Sequence, residues 1–184
     1  MPVHPTLAGS TFDTDIRNRH LVYEYYIVQK GQPATATTDP TSTRTERWKY
    51  EFWVQNEDRI VYAIHGGPMA GRKNFQATTW QCIRPHELWQ CNWLEETGTI
   101  VSLVYDIPNG KITTLIAFSK GHWERNEMAK GDKRNQKDME RWRGLARVGD
   151  SQTDRVMLSE QAVVLESYWG RGGMEEVEMD WPTL

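Results

Sequence analysis

Between Trp48 and Phe118 the chain repeats one pattern: a short run of alternating residues, then a turn signal. Few folds accommodate it. Trp48, Tyr50, Phe52 and Val54 fall on one face of a strand, with Lys49, Glu51 and Gln55 on the other. Asn56-Glu57-Asp58 supplies a turn, Arg59 to His65 the next strand, and Gly66-Gly67-Pro68 breaks it. Further strands are expected at Ala77–Arg84, Glu87–Glu95, Thr99–Ile107 and Ile112–Phe118. The turns between them are Pro85-His86, Glu96-Thr97-Gly98 and Pro108-Asn109-Gly110, the last a tight-hairpin signal. Leu21 to Val28 reads as a first strand, and Val156 to Trp169 as a final one that can close the sheet. The expected class is mainly β, a sandwich or an antiparallel meander barrel.

The remaining segments fit around that barrel. A chain of 184 residues is read as a single domain, 1–184, with the barrel over 17–169. Residues 1–16, polar and carrying Pro2 and Pro5, are expected to form a loose arm, and 170–184 an acidic tail. Residues 29–47 are polar and rich in Thr, a long loop rather than a linker. From 121 to 147 the pattern changes to charged helix formers, with Met139, Trp142 and Leu145 spaced to dock one helix face on the barrel. Lys130, Lys133, Arg134, Lys137, Arg141, Arg143 and Arg147 are interrupted by acidic residues, so they read as a solvated face. With that and a net charge of −3, no nucleic-acid partner is expected. No apolar run reaches signal-peptide or membrane-spanning length, so a soluble, cytoplasmic protein is expected. Cys82 and Cys91 are too few for a zinc ribbon and read as free thiols, with one disulfide left open.

Three places carry chemistry-bearing residues. In a strand over 87–95, Trp89, Cys91, Trp93 and Glu95 share one face, and a carboxyl closing such a row is suited to hold and release a proton. The plainer reading is a strand-end residue turned to solvent. Tyr23 and Tyr25 lie two apart on one face of the first strand and can aim their hydroxyls at one object, or serve as ordinary strand aromatics. Glycines 66, 67 and 71 match neither phosphate-loop spacing, so a bend that aims Arg72 is the better reading. His65 has no second ligand at metal-site spacing and reads as a structural hydrogen-bonding residue; no metal is expected.

The stretch from Tyr62-Ala63-Ile64-His65-Gly66-Gly67 to Ala70-Gly71-Arg72, followed by Trp93-Leu94-Glu95-Glu96-Thr97-Gly98-Thr99, resembles the cofactor-free phenolic acid decarboxylases. His20-Leu21-Val22-Tyr23-Glu24-Tyr25 is similar to their first strand, and Trp48-Lys49-Tyr50-Glu51 to their second. The resemblance covers roughly residues 18–120 and is weaker through 155–169. It implies a flattened, lipocalin-like β-barrel with one or two outer helices, a homodimer, and cofactor-free decarboxylation of p-hydroxycinnamic acids to p-vinylphenols. It carries the catalytic positions onto Glu95, Arg72, Tyr23 and Tyr25, and a substrate-binding lining onto Tyr50, Trp48, Tyr62, His65 and Ile116. Loop 29–45 is longer than in compact bacterial members and points to a fungal-like branch. Pro68 and Met69 stand for a Met-Val pair, Leu94 and Glu96 for Thr and Pro, and a proline is missing after Phe118. These changes bear on substrate preference and loop behaviour.

The chemistry asks for these residue types. Direct loss of CO₂ from a cinnamate leaves a vinyl anion, and the sequence offers no site for a metal or pyridoxal electron sink. A p-hydroxyl solves this within the substrate: protonation of the carbon beside the carboxylate gives a quinone methide, and CO₂ then leaves as the ring recovers its electrons. Glu95 is the expected proton donor, kept from water by the Trp89, Cys91 and Trp93 face, and Arg72 either pairs with the carboxylate or steers Glu95. Tyr23 and Tyr25 would serve the phenolate as an oxyanion hole. The reverse orientation, with Glu95 as base towards the phenol, stays open. So do a barrel that only binds aromatic ligands and another cofactor-free lyase or isomerase of phenols.

Overall fold

In the computed structural model, residues 11–28 and 45–184 are described. The first ten residues of the expected arm, and all but the last residue of the expected loop 29–45, lie outside them. The order is α1 (Thr11–Asp15), β1 (Arg19–Val28), β2 (Thr45–Asn56), β3 (Arg59–Ile64), β4 (Arg72–Ala77), β5 (Thr79–Arg84), β6 (Leu88–Leu94), β7 (Ile100–Asp106) and β8 (Lys111–Ser119). After these come α2 (Lys120–Glu124), a 3-10 turn (Asn126–Ala129), β9 (Gly131–Asp132), α3 (Gln136–Leu145) and β10 (Arg155–Trp169).

The strands form one sheet, ordered β5-β6-β7-β8-β10-β1-β2-β3-β4-β9. Every pairing is antiparallel except the short parallel one between β4 and β9. The last long strand, β10, lies between β8 and β1 and joins the two halves of the meander. The ladder does not close, because β4 and β5 follow one another across Thr78 without pairing. The sheet still curls into a flattened barrel. Trp80 of β5, Trp89 of β6, Ile60 of β3 and Leu21 of β1 pack into a single core, although β5 and β3 stand far apart in sheet order.

Period-two alternation decides what faces that core. Along β6, Trp89, Cys91 and Trp93 are buried, and Leu88, Gln90, Asn92 and Leu94 are half-buried or exposed. All of β3 is buried, because its outer face is covered too. There Trp53, Val61, Ala63 and Phe75 form a second apolar cluster with Met174 and Val177. Gln55 secures this cover, its Nε2 donating to the Val177 carbonyl at 2.7 Å and its Oε1 accepting from the Val177 amide at 3.0 Å. The segment read as an acidic tail is thus seated on the barrel through at least Val177.

Other segments depart from the sequence reading. The strand expected over Ala77–Arg84 is two strands, β4 and β5, and β4 begins five residues earlier, at Arg72. The helical stretch 121–147 is broken into α2, the 3-10 turn, β9 and α3, although Met139, Trp142 and Leu145 of α3 are buried as their spacing requires. Of the expected arm, α1 packs inward. Phe12 sits edge-on to Trp80 and Trp89 at 5.6 and 5.7 Å, and Asp15 accepts from Trp89 Nε1 at 2.9 Å and His86 Nδ1 at 2.8 Å. Cys82 and Cys91 are both free.

Candidate active site

The site is built on the turn that joins β6 to β7. Glu95 continues the inward face of β6; its amide donates to the Thr99 carbonyl at 2.8 Å, and the Gly98 amide returns to the Glu95 carbonyl at 2.8 Å. Gly98 has a φ of 79°, which a glycine adopts without strain, and this tight reversal turns Glu95, Glu96, Thr97 and Thr99 all inward. Strand alternation alone would have sent Glu96 outward.

Glu95 is 5% exposed. Its Oε1 accepts from the Tyr62 hydroxyl at 2.5 Å and from Trp93 Nε1 at 3.2 Å. Its Oε2 accepts from Arg72 Nη2 at 3.2 Å and Thr97 Oγ1 at 3.4 Å. Of the row Trp89, Cys91 and Trp93, only Trp93 bonds to the carboxyl; the Trp89 indole is turned to Asp15.

Arg72 is fully buried and heavily committed. Nη1 donates to the Ala129 carbonyl at 2.7 Å, Nη2 serves both Glu95 and Glu96, and the guanidinium lies 3.8 Å from the centre of the Trp142 ring of α3. Among the described residues only Nε lacks a partner. Both Nη atoms are thus committed, one of them to Glu95.

Glu96 is the residue the sequence reading missed. Arg72, Asn74 and Gln76 lie at alternate positions of β4, all buried, and all three donate to its carboxylate, with Asn74 at 3.2 Å and Gln76 at 2.7 Å. Lys133 Nζ completes the shell at 2.7 Å and also donates to the carbonyls of Phe75 and Thr183, each at 2.8 Å. Lys133 is therefore no part of a solvated basic face. Burial opposes the Glu96 charge, but Arg72 and Lys133 outweigh it and hold the carboxyl down at about 2. For Lys133 burial wins: despite the pull of Glu96, its ammonium is pushed down to about 8, with Arg72 adding repulsion.

Above this cluster lies a cavity lined by Tyr23, Tyr25, Tyr50, Tyr62, Glu95 and His122, with apolar walls that include Ile64, Ile116 and Phe118. The Tyr23, Tyr25 and Tyr50 rings pack within 5.4 to 5.7 Å of one another, and Tyr25 and Thr114 share a hydrogen bond of 2.7 Å. Burial pushes Tyr25 up to about 12 against its bonds to Thr114 and Tyr23, and drives Tyr23 and Tyr50 upward as well. All three are neutral O–H groups at ordinary pH. Thr114, Ile116 and Phe118 follow one another along the inner face of β8, so Thr114 and Phe118 stand roughly 13 Å apart at strand spacing. The tyrosines therefore mark one end of the cavity. Phe118, edge-on to His122 at 5.2 Å, marks the other, near Glu95.

Of the positions expected from the sequence, Tyr23, Tyr25, Tyr50, Tyr62, Arg72, Glu95 and Ile116 meet in this cavity. Trp48 and His65 do not. Trp48 lines an adjoining recess that shares Tyr25, Tyr50, Thr114 and Ile116 with the cavity, and its Nε1 donates to Glu46 at 3.1 Å. His65 lies on the outer face, hydrogen-bonded to Glu51 Oε2 at 2.8 Å. Among the described residues no group of three or more His, Cys, Asp or Glu side chains is placed to hold a metal ion.

Comparison with known proteins bears on this arrangement. Over 82 residues the chain is 34% identical to the phenolic acid decarboxylase PadC of Bacillus subtilis (strain 168), a stretch covering 44% of this chain and 50% of that protein. Over 73 residues it is 29% identical to a probable phenolic acid decarboxylase of Vibrio cholerae, covering 40% of this chain and 42% of the relative. The match thus spans half or less of the length of either relative. The model of the family described as phenolic acid decarboxylase (PAD) matches residues 40–150, a segment that holds β2 to β8, the Glu95 turn, Arg72, His122 and Lys133. The chain belongs to the phenolic acid decarboxylase family.

Proposed function

We propose that this chain decarboxylates p-hydroxycinnamic acids such as p-coumarate, ferulate and caffeate to p-vinylphenols, without a cofactor. The observation that carries the reading is one cavity with the Glu95 carboxyl near one end and the neutral Tyr23 and Tyr25 hydroxyls at the other. The phenol end of the substrate lies on the tyrosines as the phenolate, and their O–H groups stabilise the anion. Its proton is released to solvent on binding and regained from solvent when the product leaves. The side chain of the substrate then reaches Glu95. Transfer of the Glu95 proton to the carbon bearing the carboxylate converts the ring to a quinone methide. The C–CO₂⁻ bond breaks, its electron pair restores the ring, and neutral CO₂ departs. Glu95 then recovers a proton from solvent, so the net reaction consumes one proton.

Arg72 acts on this path through Glu95, holding Oε2 while Tyr62 holds Oε1. These two contacts fix the carboxyl against the cavity, which favours transfer at one carbon of the substrate. The reading extends to a homodimer. Leu94, Ile100, Ala117 and Met157, in register across β6, β7, β8 and β10, make an outward apolar row that supports it; a monomer mass in light scattering would remove that part.

The test is an ultraviolet time course of purified protein with chelator and no added cofactor, run on p-coumarate, ferulate and unsubstituted cinnamate. Conversion of the first two to vinylphenols, with cinnamate untouched, is the expected result. Saturable binding with no product would instead favour a binding barrel, and turnover of a different phenol another lyase or isomerase.

A further inference from the structure

We propose that His122 binds the carboxylate of the substrate through its Nε2–H, at the Glu95 end of the cavity. This deepens the decarboxylase reading above and rests on it for the identity of the ligand. Ser119 caps the helix that carries His122, its hydroxyl accepting from the His122 amide at 3.3 Å, and this sets the ring at the cavity wall.

The two ring nitrogens meet different surroundings. Nδ1 is turned to the β6–β7 turn, 2.9 Å from Thr97 Oγ1 and 2.7 Å from Thr99 Oγ1. Thr99 Oγ1 accepts from the Ser119 amide at 3.3 Å and can give its one hydrogen to Nδ1, while Thr97 Oγ1 gives its hydrogen to Glu95. With Nδ1 as acceptor, the neutral ring carries its hydrogen on Nε2. That atom is buried and has no partner among the described residues, and a buried donor without one is a standing cost that a ligand oxygen removes.

Neutrality follows from the surroundings: burial, and then the charge of Arg72, hold His122 well below its ordinary value. A substrate carboxylate needs donors, and both Nη groups of Arg72 are spent on Ala129, Glu95 and Glu96, which leaves only its Nε. The Nε2 of His122, on the cavity wall beside Phe118, is a second unpartnered position at this end among the described residues. Because the carboxylate becomes neutral CO₂, a hydrogen bond to it is strongest before reaction and fades in the transition state. His122 is thus a binding residue, and its loss should raise KM without lowering kcat.

The experiment uses two unreactive ligands, so it does not depend on turnover. These are p-hydroxyphenylpropanoate, which keeps the carboxylate, and p-ethylphenol, which lacks it. His122→Asn keeps an acceptor near the threonines and removes the Nε2 donor, whereas His122→Gln can place an amide N–H near the Nε2 position. The Asn variant is expected to bind the acid at least about 10-fold more weakly and the phenol unchanged, with Gln recovering most of the loss. Equal weakening of both ligands, loss of the phenol alone, or no effect on the acid would overturn the proposal. Should the Asn variant not fold, the Nε2–H proton resonance of the wild-type protein decides. A downfield shift with the acid and not with the phenol supports the assignment, and no shift with the acid refutes it. Acid-selective binding through His122 without turnover of p-coumarate would sink the decarboxylase reading alone.

Discussion

Replacing Glu96 by Gln keeps the shape of the turn and removes one buried charge, so its cost can be worked out from the cluster. In the folded chain the Glu96 carboxyl sits at about 2, against an ordinary 4.5. A carboxyl lowered by folding adds stability above its unfolded value and loses it as pH falls through the folded one. Here that contribution is about 3 kcal/mol above pH 4.5, falling to roughly 1.4 kcal/mol at pH 3. The substitution also leaves Arg72 and Lys133 buried without their shared partner, a loss of about 3–5 kcal/mol in comparable cases. The expected penalty at pH 7 is therefore about 3–5 kcal/mol, and smaller by about 2 kcal/mol at pH 3. Urea unfolding followed by fluorescence of the nine tryptophans measures both. Turnover should fall as well, since Arg72 loses the anchor that sets it against Glu95. A Gln variant as stable as wild type at pH 7, with the same acid sensitivity, would refute the claim that Glu96 is the ionised centre of the cluster.

Glu95→Gln should keep the melting temperature within a few degrees and abolish nearly all vinylphenol formation; an active Gln variant would end the proton-donor role. Tyr25→Phe should lower kcat on the order of 10²-fold, the usual effect of removing one oxyanion-hole donor, and an unchanged rate would place the phenolate elsewhere. Gly121→Ala should lower the melting temperature by ~3–10 °C, because its Cβ would collide with the Leu145 carbonyl oxygen. A scanning calorimetry trace matching wild type would mean that α2 and α3 can separate freely.

Much of the barrel was legible in the sequence because period-two alternation is a direct imprint of a half-buried strand. It placed Tyr23 and Tyr25 together, put Glu95 on the buried face of β6 and marked the reversals between strands. It also sets His65 with Val61 and Ala63 on the outer face, where the ring bonds to Glu51; only the resemblance had put His65 in the lining. Trp48 shares a face with Tyr50, but it lies beyond the tyrosines, in the recess that Tyr25 and Tyr50 divide from the main cavity. The seat of Met174 and Val177 was hidden because two apolar residues in an acidic, Gly-rich stretch carry no periodic signal.

The most informative failure is β4. Patterning rules assume that the inside of a barrel is apolar, and over Arg72-Lys73-Asn74-Phe75-Gln76-Ala77 the rule is inverted. The buried inner face is Arg72, Asn74 and Gln76; the apolar Phe75 points outward, under the C-terminal segment. Read for hydrophobic alternation, this stretch is no strand. Read for polar alternation, it is a strand built to hold a buried anion, and Glu96 is that anion. The inversion follows from the buried charges of this chain. Here the arginine that touches Glu95 is also neutralised by a second carboxylate, and that carboxylate takes donors of its own. The inner face of β4 supplies those donors, so apolar patterning breaks down on the strand that supports Glu95.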